Sequence, residues 1–278
     1  MALDIKLTRQ IFQRTDRELA KIGKKPAPAR VHKFRTSSRR VEAVLTELAP
    51  ELHRNDERLL KMLSRLRKKA GRVRDLDVQI AALRALKFPQ ANGHKSQLMD
   101  ALIAERSKRE KKLVTAFDDK TIAEIRKRLK RAQRQFQVPA KTDPLALTLR
   151  KLRQLGARTP LTEKMLHQYR IIGKRARYIA ELSGGNPQAK STVDRLKHMQ
   201  DVIGDWHDWL KLTQRAEELL GNVRDSALVA MLRNVTQAKF RQGLELVAQI
   251  RTEFAASPQP ATPTSKAPGK AAAQATAA

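Results

Sequence analysis

Apolar residues recur every three or four positions along most of this chain, which is the spacing that places them on one side of an α-helix. Residues 31–48 carry Val31, Phe34, Val41, Val44, Leu45 and Leu48 at this spacing. Residues 161–182 repeat the pattern with Leu161, Met165, Leu166, Tyr169, Ile172, Ala176 and Ile179. No stretch alternates apolar and polar residues as a half-buried strand would. The pattern predicts an all-α protein.

Glycine and proline divide this pattern into predicted helices. In the first half the predicted helices cover residues 3–22, 31–48, 56–70, 75–86 and 94–136, the last with a break near Asp118. Gly71 is predicted to end the third helix, and Asp75 or Asp77 to cap the fourth. In the second half the predicted helices cover residues 145–155, 161–182, 188–203, 205–220 and 225–255.

Two of these helices carry basic residues on the side opposite the apolar one. In the His32 helix, residues 31–48, the basic side holds His32, Arg35, Arg39 and Arg40. In the His167 helix, residues 161–182, it holds Lys164, His167, Arg170, Lys174 and Arg175. A solvated helix face usually mixes signs, because like charges at this spacing destabilise the helix. These faces therefore predict a polyanionic ligand.

The two basic helices also share an order of residues. Each has His, then Arg three residues later, a base seven later and Arg eight later. Each is followed by a Gly and an Asp, which are Gly71 and Asp75 in the first case and Gly204 and Asp208 in the second. The separation from His to Gly is 39 residues and then 37 residues. Two ordered anchors at nearly equal separation predict an internal duplication.

A further basic stripe follows the His32 helix. It consists of Arg58, Lys61, Arg65 and Lys68, at three- and four-residue spacing and with no acidic residue within it. Arginine contacts phosphate through paired hydrogen bonds and lysine as a point charge, so we add these four positions to the predicted binding residues. Asp75 and Asp208 are instead expected to be structural, because a lone Asp among many Arg residues caps a helix or holds an Arg side chain in place.

The composition narrows the class of partner. Lys and Arg number 58 against 28 Asp and Glu, which gives a formal net charge of +30. A charge of this size attracts polyanions. Aromatic residues make up only 4% of the chain, whereas proteins that hold single-stranded nucleic acid usually present aromatic rings to the bases. The composition therefore favours recognition of phosphate groups over recognition of bases.

Other sequence features bear on compartment and cofactors. The chain has no Cys, which excludes disulfides and thiolate metal sites. No apolar run approaches the roughly 18 residues of a membrane-spanning helix, and the first residues lack the apolar centre of a signal peptide. We expect a cytoplasmic protein with no membrane partner, no cofactor and no metal.

The basic helices and their anchors resemble the conserved histidine α-helical domain, or CHAD, family. The resemblance rests on HxxRxxxRR in the His32 helix, on GRVRDLDV after it and on HxxRxxxKRxRY in the His167 helix, and it spans about residues 3–255. It implies two pseudo-symmetric four-helix bundles, and we place them at about residues 1–138 and 143–255 of a CHAD-like domain covering 1–255. It also implies binding of inorganic polyphosphate and association with polyphosphate granules.

One part of the chain departs from that resemblance, and another lies outside it. In the second half Trp206 and His207 replace the residues that usually precede Asp208. Residues 256–278 are rich in Ala and Pro and have no large apolar side chain, so they cannot bury enough surface to offset the entropy of ordering. We predict that this C-terminal tail is disordered.

Nucleic-acid binding and metal-dependent phosphohydrolysis are the alternatives to polyphosphate binding. Nucleic-acid binding through the phosphate backbone is the main alternative, because charge alone does not separate DNA, RNA and polyphosphate, and weak nucleic-acid binding stays open as a second property. The pair His207-Asp208 occurs in helical metal phosphohydrolases. Those enzymes need further His and Asp ligands, and the His residues of this sequence do not have the spacing of metal ligands. No P-loop is present. The prediction is a binding protein and not an enzyme, with its oligomeric state left open.

Overall fold

The computed structural model describes residues 3–22, 26–88, 93–137, 142–153, 161–221 and 226–256. These residues form nine α-helices and no strand, which confirms the predicted all-α class. The helices are α1 (Ile5–Ile22), α2 (Pro28–Glu47), α3 (Arg54–Ala85), α4 (His94–Ala116), α5 (Asp119–Gln135), α6 (Pro144–Arg153), α7 (Glu163–Ala180), α8 (Pro187–Leu220) and α9 (Ala227–Ala256). Apart from its first residue, the predicted disordered tail lies outside the described residues.

Two predicted helix ends are wrong. Helix α3 continues through Gly71, and α8 continues through Gly204, so each joins two segments that the sequence pattern had separated. Asp75 and Asp77 consequently lie inside α3 and cap no helix. A glycine inside a helix costs only about 1 kcal/mol relative to alanine. Burial of apolar side chains before and after Gly71, such as Leu66 and Leu76, outweighs that cost.

The predicted break in the long segment 94–136 is confirmed. Helix α4 ends at Ala116 and α5 begins at Asp119. Asp118 is the N-cap of α5, and its Oδ1 atom accepts a hydrogen bond of 2.8 Å from the backbone N–H of Thr121. This bond satisfies one of the donors that a helix leaves free at its start.

The buried apolar side chains of the described residues form three clusters. The first joins α1, α2 and α5 to the N-terminal part of α3, with Phe12, Phe34 and Leu59 fully buried, and it also includes Leu113 of α4 and Ile179 of α7. The second joins α6, α7, α8 and α9 around Leu166. The third is built from the C-terminal part of α3 and from α4, α8 and α9, and includes Leu83. Because the third cluster draws on both halves of the chain, the two halves share part of their core, and their division into two four-helix bundles stays a prediction.

Packing of α2 against α7 positions the site described below. The apolar sides predicted for the two helices face the core: Val31 and Phe34 in α2 are fully buried, as are Leu166 and Ala176 in α7. The basic sides of both helices are therefore left toward the outside of these clusters. None of the helices described is both long enough and apolar enough to span a membrane.

Helix α7 also lies unusually close to α8 at Gly173. The side chain of Gln200 donates a hydrogen bond of 2.8 Å to the Gly173 carbonyl. A Cβ atom at this position would lie 2.4 Å from Cε of Met199, a fully buried side chain. Gly173 therefore allows the approach that brings the C-terminal part of α8, with Asp208, beside the basic side of α7.

Candidate anion-binding site

Four cations from α2 and α7 lie within electrostatic reach of one another, and we call them the central cluster: Arg35, Arg39, Arg170 and Lys174. The charge of Arg39 in α2 lowers the pKa of both Arg170 and Lys174 in α7. The charge of Arg170 in turn lowers the pKa of Arg35. The basic sides of the two helices, which are more than 100 residues apart in the chain, thus form one electropositive region.

Lys174 is affected both by burial and by the positive charge of its neighbours. Burial lowers the pKa of its ammonium group first, and the charges of Arg170, Arg39 and Arg35 lower it further, to about 7. The carboxylate of Asp208 acts in the opposite direction but more weakly. A lysine with this pKa is only partly protonated near neutral pH, because its cationic form is poorly compensated by the protein. An anion placed here would supply the missing compensation.

Arg35 is the member of the cluster that the protein holds in place. Its Nη1 atom lies 3.3 Å from Oδ1 of Asp75 and 3.5 Å from the carbonyl oxygen of Gly71. A Cβ atom at Gly71 would already lie 3.5 Å from Nη2 of Arg35, so the glycine leaves the guanidinium room against α3. Burial lowers the pKa of Arg35, and Asp75 offsets part of that effect.

Arg170, at the matching position of α7, is held differently. Burial lowers its pKa, and Asp208 is the main carboxylate that opposes the shift. Its Nε atom is buried and has no hydrogen-bond partner among the described residues. Arg170 is thus a partly buried cation whose donors are less completely satisfied than those of Arg35.

The two histidines predicted for the site lie at its margin and are exposed. Burial lowers the pKa of His32, followed by the charges of Arg74, Arg35, Arg39 and Lys174. The His167 ring stacks on the His207 ring with 5.9 Å between centroids. Burial, then His207, lowers the pKa of His167. The pKa of both imidazoles is therefore lowered in the free protein, and a bound anion would favour their protonation.

Sequence reasoning missed three residues beside the cluster: Arg74, His207 and Lys211. Arg74 was missed because α3 was expected to end at Gly71, which would have placed Arg74 in a connection. A helix continued through Gly71 puts Arg74 next to Asp75 on the same element. His207 and Lys211 lie on α8, whose approach to α7 depends on packing at Gly173.

Arg40, predicted to bind the anion, is engaged elsewhere. Its Nε and Nη2 atoms lie 2.9 Å and 2.8 Å from Oε2 of Glu181, which follows α7. Its guanidinium also lies over the Tyr178 ring, 5.5 Å from the centroid. Arg40 thus ties α2 to the C-terminal end of α7, and its contribution in the structure is to the packing that forms the site.

The remaining predicted positions are not members of the central cluster. Arg58 lines a separate cleft between α3 and α5. The other five are exposed and make no ion pair with any described residue, and none is among the main electrostatic neighbours of the central cluster: Lys61, Arg65, Lys68, Lys164 and Arg175. Within the described part of the chain, no three His, Asp or Glu side chains come together as metal ligands would.

Comparison with known proteins places this chain in a family and identifies its fold. The family model for the CHAD domain matches residues 7–217. The crystal structure of the CHAD domain from the plant Ricinus communis superposes with a TM-score of 0.70 at 18% identity, covering 94% of this chain and 94% of that one. PptA from Streptomyces chartreusis superposes with a TM-score of 0.64 at 16% identity, covering 92% of this chain and 100% of that one. No curated protein matches. At these identities the structural likeness concerns the fold alone.

Proposed function

The chain belongs to the CHAD domain family, and from this premise we propose that it binds inorganic polyphosphate at the central cluster. The residues that hold the ligand in this proposal are Arg35, Arg39, Arg170 and Lys174, with His32 and His167 at the margin. The observation that supports it most directly is the joint contribution of α2 and α7 to one region of positive charge.

The excess of positive charge in that region favours an anionic ligand. Two carboxylates, Asp75 and Asp208, are the main acidic neighbours of Arg35, Arg170 and Lys174. The cluster therefore keeps an excess of positive charge, and burial together with that excess lowers the pKa of Lys174 to about 7. Clusters of strongly shifted ionisable groups are frequent at functional sites. A phosphate chain would relieve the repulsion and accept hydrogen bonds from the arginines at the same time.

We propose that the site prefers long phosphate chains to short ones. A long phosphate chain reaches cations of α2 and α7 together, so its second contact is intramolecular and adds affinity without a new binding partner. Orthophosphate occupies only part of the cluster. The exposed cations Lys164 and Arg175 of α7, with Lys61, Arg65 and Lys68 of α3, extend the positive surface along which a long chain continues.

In our proposal the protein binds polyphosphate and does not cleave it. The rings at the margin of the cluster are the imidazoles of His32 and of His167, which stacks on His207, while Trp206 is 2% exposed and forms part of the core. This arrangement suits phosphate groups better than stacked bases. Binding of polyphosphate leads us to propose further that the protein associates with polyphosphate granules in the cytoplasm.

Competition at constant salt tests the proposal. Long-chain polyphosphate is titrated into complexes of the full chain with labelled duplex DNA and with labelled RNA, and fluorescence anisotropy reports displacement. We expect polyphosphate to displace both nucleic acids and orthophosphate to compete poorly. Polyphosphate affinity should also fall steeply as salt rises, because each neutralised phosphate releases counterions. Equal or tighter binding of duplex DNA would replace this proposal by nucleic-acid binding.

A further inference from the structure

A second concentration of positive charge lies in a cleft between the start of α3 and the side of α5. The cleft has a volume of about 430 Å³. Its lining residues are His53, Arg54, Asn55, Arg58, Glu124, Lys127, Arg128, Arg131 and Gln135. We call it the α3–α5 cleft. Arg58 and Asp75 are 17 residues apart in α3, which corresponds to about 25 Å along the helix at about 1.5 Å per residue. The cleft is therefore a different place from the central cluster.

The charges that line the cleft are strongly unbalanced. In the described part of the chain, five cationic side chains line the cleft with one carboxylate, that of Glu124. Glu124 is already engaged, because its Oε1 atom lies 2.5 Å from Nη2 of Arg128. The other four cations, Arg54, Arg58, Lys127 and Arg131, are exposed and form no ion pair with a described residue. An anion entering the cleft meets these four without displacing an internal partner.

One side of the cleft is held in place by buried polar contacts. Asn55 is 9% exposed, and its side-chain amide donates a hydrogen bond of 3.3 Å to the carbonyl oxygen of Arg128. The Asn55 amide oxygen lies 3.5 Å from Nη1 of Arg128 in return. The Arg128 guanidinium is thereby fixed between Asn55 and Glu124. Its Nε atom is buried without a hydrogen-bond partner among the described residues.

We propose that the α3–α5 cleft is a second binding site, and that it takes a compact oligophosphate of a few phosphate groups independently of the central cluster. The volume lies within the range of small-ligand sites, about 300–1,000 Å³. The guanidinium groups of Arg54, Arg58 and Arg131 offer paired donors suited to phosphate oxygens, and Lys127 adds a point charge. Among the described residues, the lining has no Phe, Tyr or Trp ring on which a base could stack.

Chemical labelling of the wild-type full chain tests this site directly. Lysines are acetylated with an N-hydroxysuccinimide ester with and without inorganic triphosphate at constant ionic strength, and peptide mass spectrometry gives the labelling of each lysine. Lys127 lines the cleft, whereas Lys130, on the same helix and also exposed, does not. We expect triphosphate to reduce labelling of Lys127 severalfold and to leave Lys130 nearly unchanged. Equal protection of the two lysines, or none, would overturn the proposal.

Independence from the central cluster is tested in the variant Arg39→Gln/Lys174→Gln. Triphosphate should still protect Lys127 in this variant, and loss of that protection would show that the cleft only continues the path of a ligand held at the central cluster. Failure of the proposed polyphosphate site would instead appear as unchanged affinity for long chains in the same variant. Protection of Lys127 by duplex DNA but not by triphosphate would assign the cleft to nucleic acid and reject our proposal.

Affinity is then compared between two further double substitutions made in that background. Lys127→Gln/Arg131→Gln removes two charges from the cleft, and Lys130→Gln/Arg134→Gln removes two charges from α5 outside it. We expect calorimetry to show about a tenfold weaker affinity for triphosphate in the first variant and little change in the second. Circular dichroism checks that both remain helical. Equal losses would mean that net charge, and not a site, holds the ligand.

Discussion

Arg35 in α2 and Arg170 in α7 occupy the same place in a shared sequence pattern, but their surroundings differ. Arg35 is hydrogen-bonded to Asp75 and to the carbonyl of Gly71, both in α3. Arg170 has Asp208 of α8 as an electrostatic neighbour, and its buried Nε atom lacks a partner among the described residues. The spacing along each helix places both arginines in the cluster. The contacts with the neighbouring helix, α3 for Arg35 and α8 for Arg170, determine how firmly each side chain is held.

The next residues in the pattern diverge further. Arg40 in α2 is paired with Glu181 and lies over Tyr178, whereas Arg175 in α7 is exposed and forms no ion pair with a described residue. Equivalent positions in two similar helices have therefore become a packing contact in one and a surface charge in the other. A repeated motif indicates that equivalent residues lie on the same side of their helices. The role of each side chain depends on the residues that it contacts.

The largest effect that we expect comes from removing paired charges from the cluster. Arg35→Gln/Arg39→Gln and Arg170→Gln/Lys174→Gln should each weaken binding of long-chain polyphosphate on the order of a hundredfold, at about 1.4 kcal/mol for each cation. Binding titrations at constant salt measure the loss. If α2 and α7 form one surface, the two losses are similar, and a large loss in only one variant would restrict the site to that helix.

A matched control for these variants lies on α7 itself. Lys164→Gln/Arg175→Gln removes the same charge from the same helix, but both side chains are exposed and outside the central cluster. We expect a much smaller loss of affinity than for Arg170→Gln/Lys174→Gln. A loss of the same size in both variants would mean that the overall charge of α7 matters and its convergence with α2 does not.

An intermediate effect is expected from pH, and it distinguishes Lys174 from its counterpart Arg39. The pKa of Lys174 is about 7 in the free protein, and a bound polyanion raises it, so binding takes up a proton. Affinity should therefore increase as pH falls from about 9 to about 7. The variant Lys174→Arg keeps its charge throughout and should lose most of this dependence. A pH profile unchanged by the substitution would contradict the assignment.

Stability of the free protein should depend on pH in the opposite direction. In the unfolded chain Lys174 regains a pKa of about 10.4, so between about pH 7 and about pH 10 the unfolded state binds more protons than the folded state. This group therefore makes the free protein more stable as pH rises through that window. Denaturant titration of wild type and of Lys174→Gln isolates its contribution, and wild type should show the steeper rise with pH.

The smallest effect concerns the two glycines that follow the basic helices. At Gly204 an added Cβ meets no atom within 4 Å, so Gly204→Ala should stabilise α8 by about 0.5–1 kcal/mol, as alanine is favoured over glycine inside a helix. At Gly71 the added Cβ would touch the Arg35 guanidinium at 3.5 Å. Gly71→Ala should therefore gain less stability and also alter polyphosphate affinity, which Gly204→Ala should leave unchanged. Thermal unfolding of both variants measures the change in stability, and binding titrations measure the change in polyphosphate affinity.

Local periodicity was enough to predict which side of each basic helix would be buried. Val31 and Phe34 in α2 and Leu166 in α7 are fully buried as predicted, because burial of an apolar stripe follows from 3.6 residues per turn whatever the helix packs against. The same reasoning correctly left the basic residues of both helices off the core. It was wrong at Gly71 and Gly204, because the local cost of a glycine was smaller than the burial gained by continuing the helix.

Contacts between distant parts of the chain were decided only by the tertiary structure. The convergence of Arg39 with Lys174 depends on the packing of α2 against α7, and the capture of Arg40 depends on Glu181, which is 141 residues away in sequence. The separation of Arg58 from the central cluster likewise follows from the length of α3 and the position of α5. The sequence alone determined which segments are helical and the sign of the charge on their outer sides. Which of those charges act together is set by distances across the fold, because electrostatic interactions depend on separation in space and on burial, and not on separation along the chain.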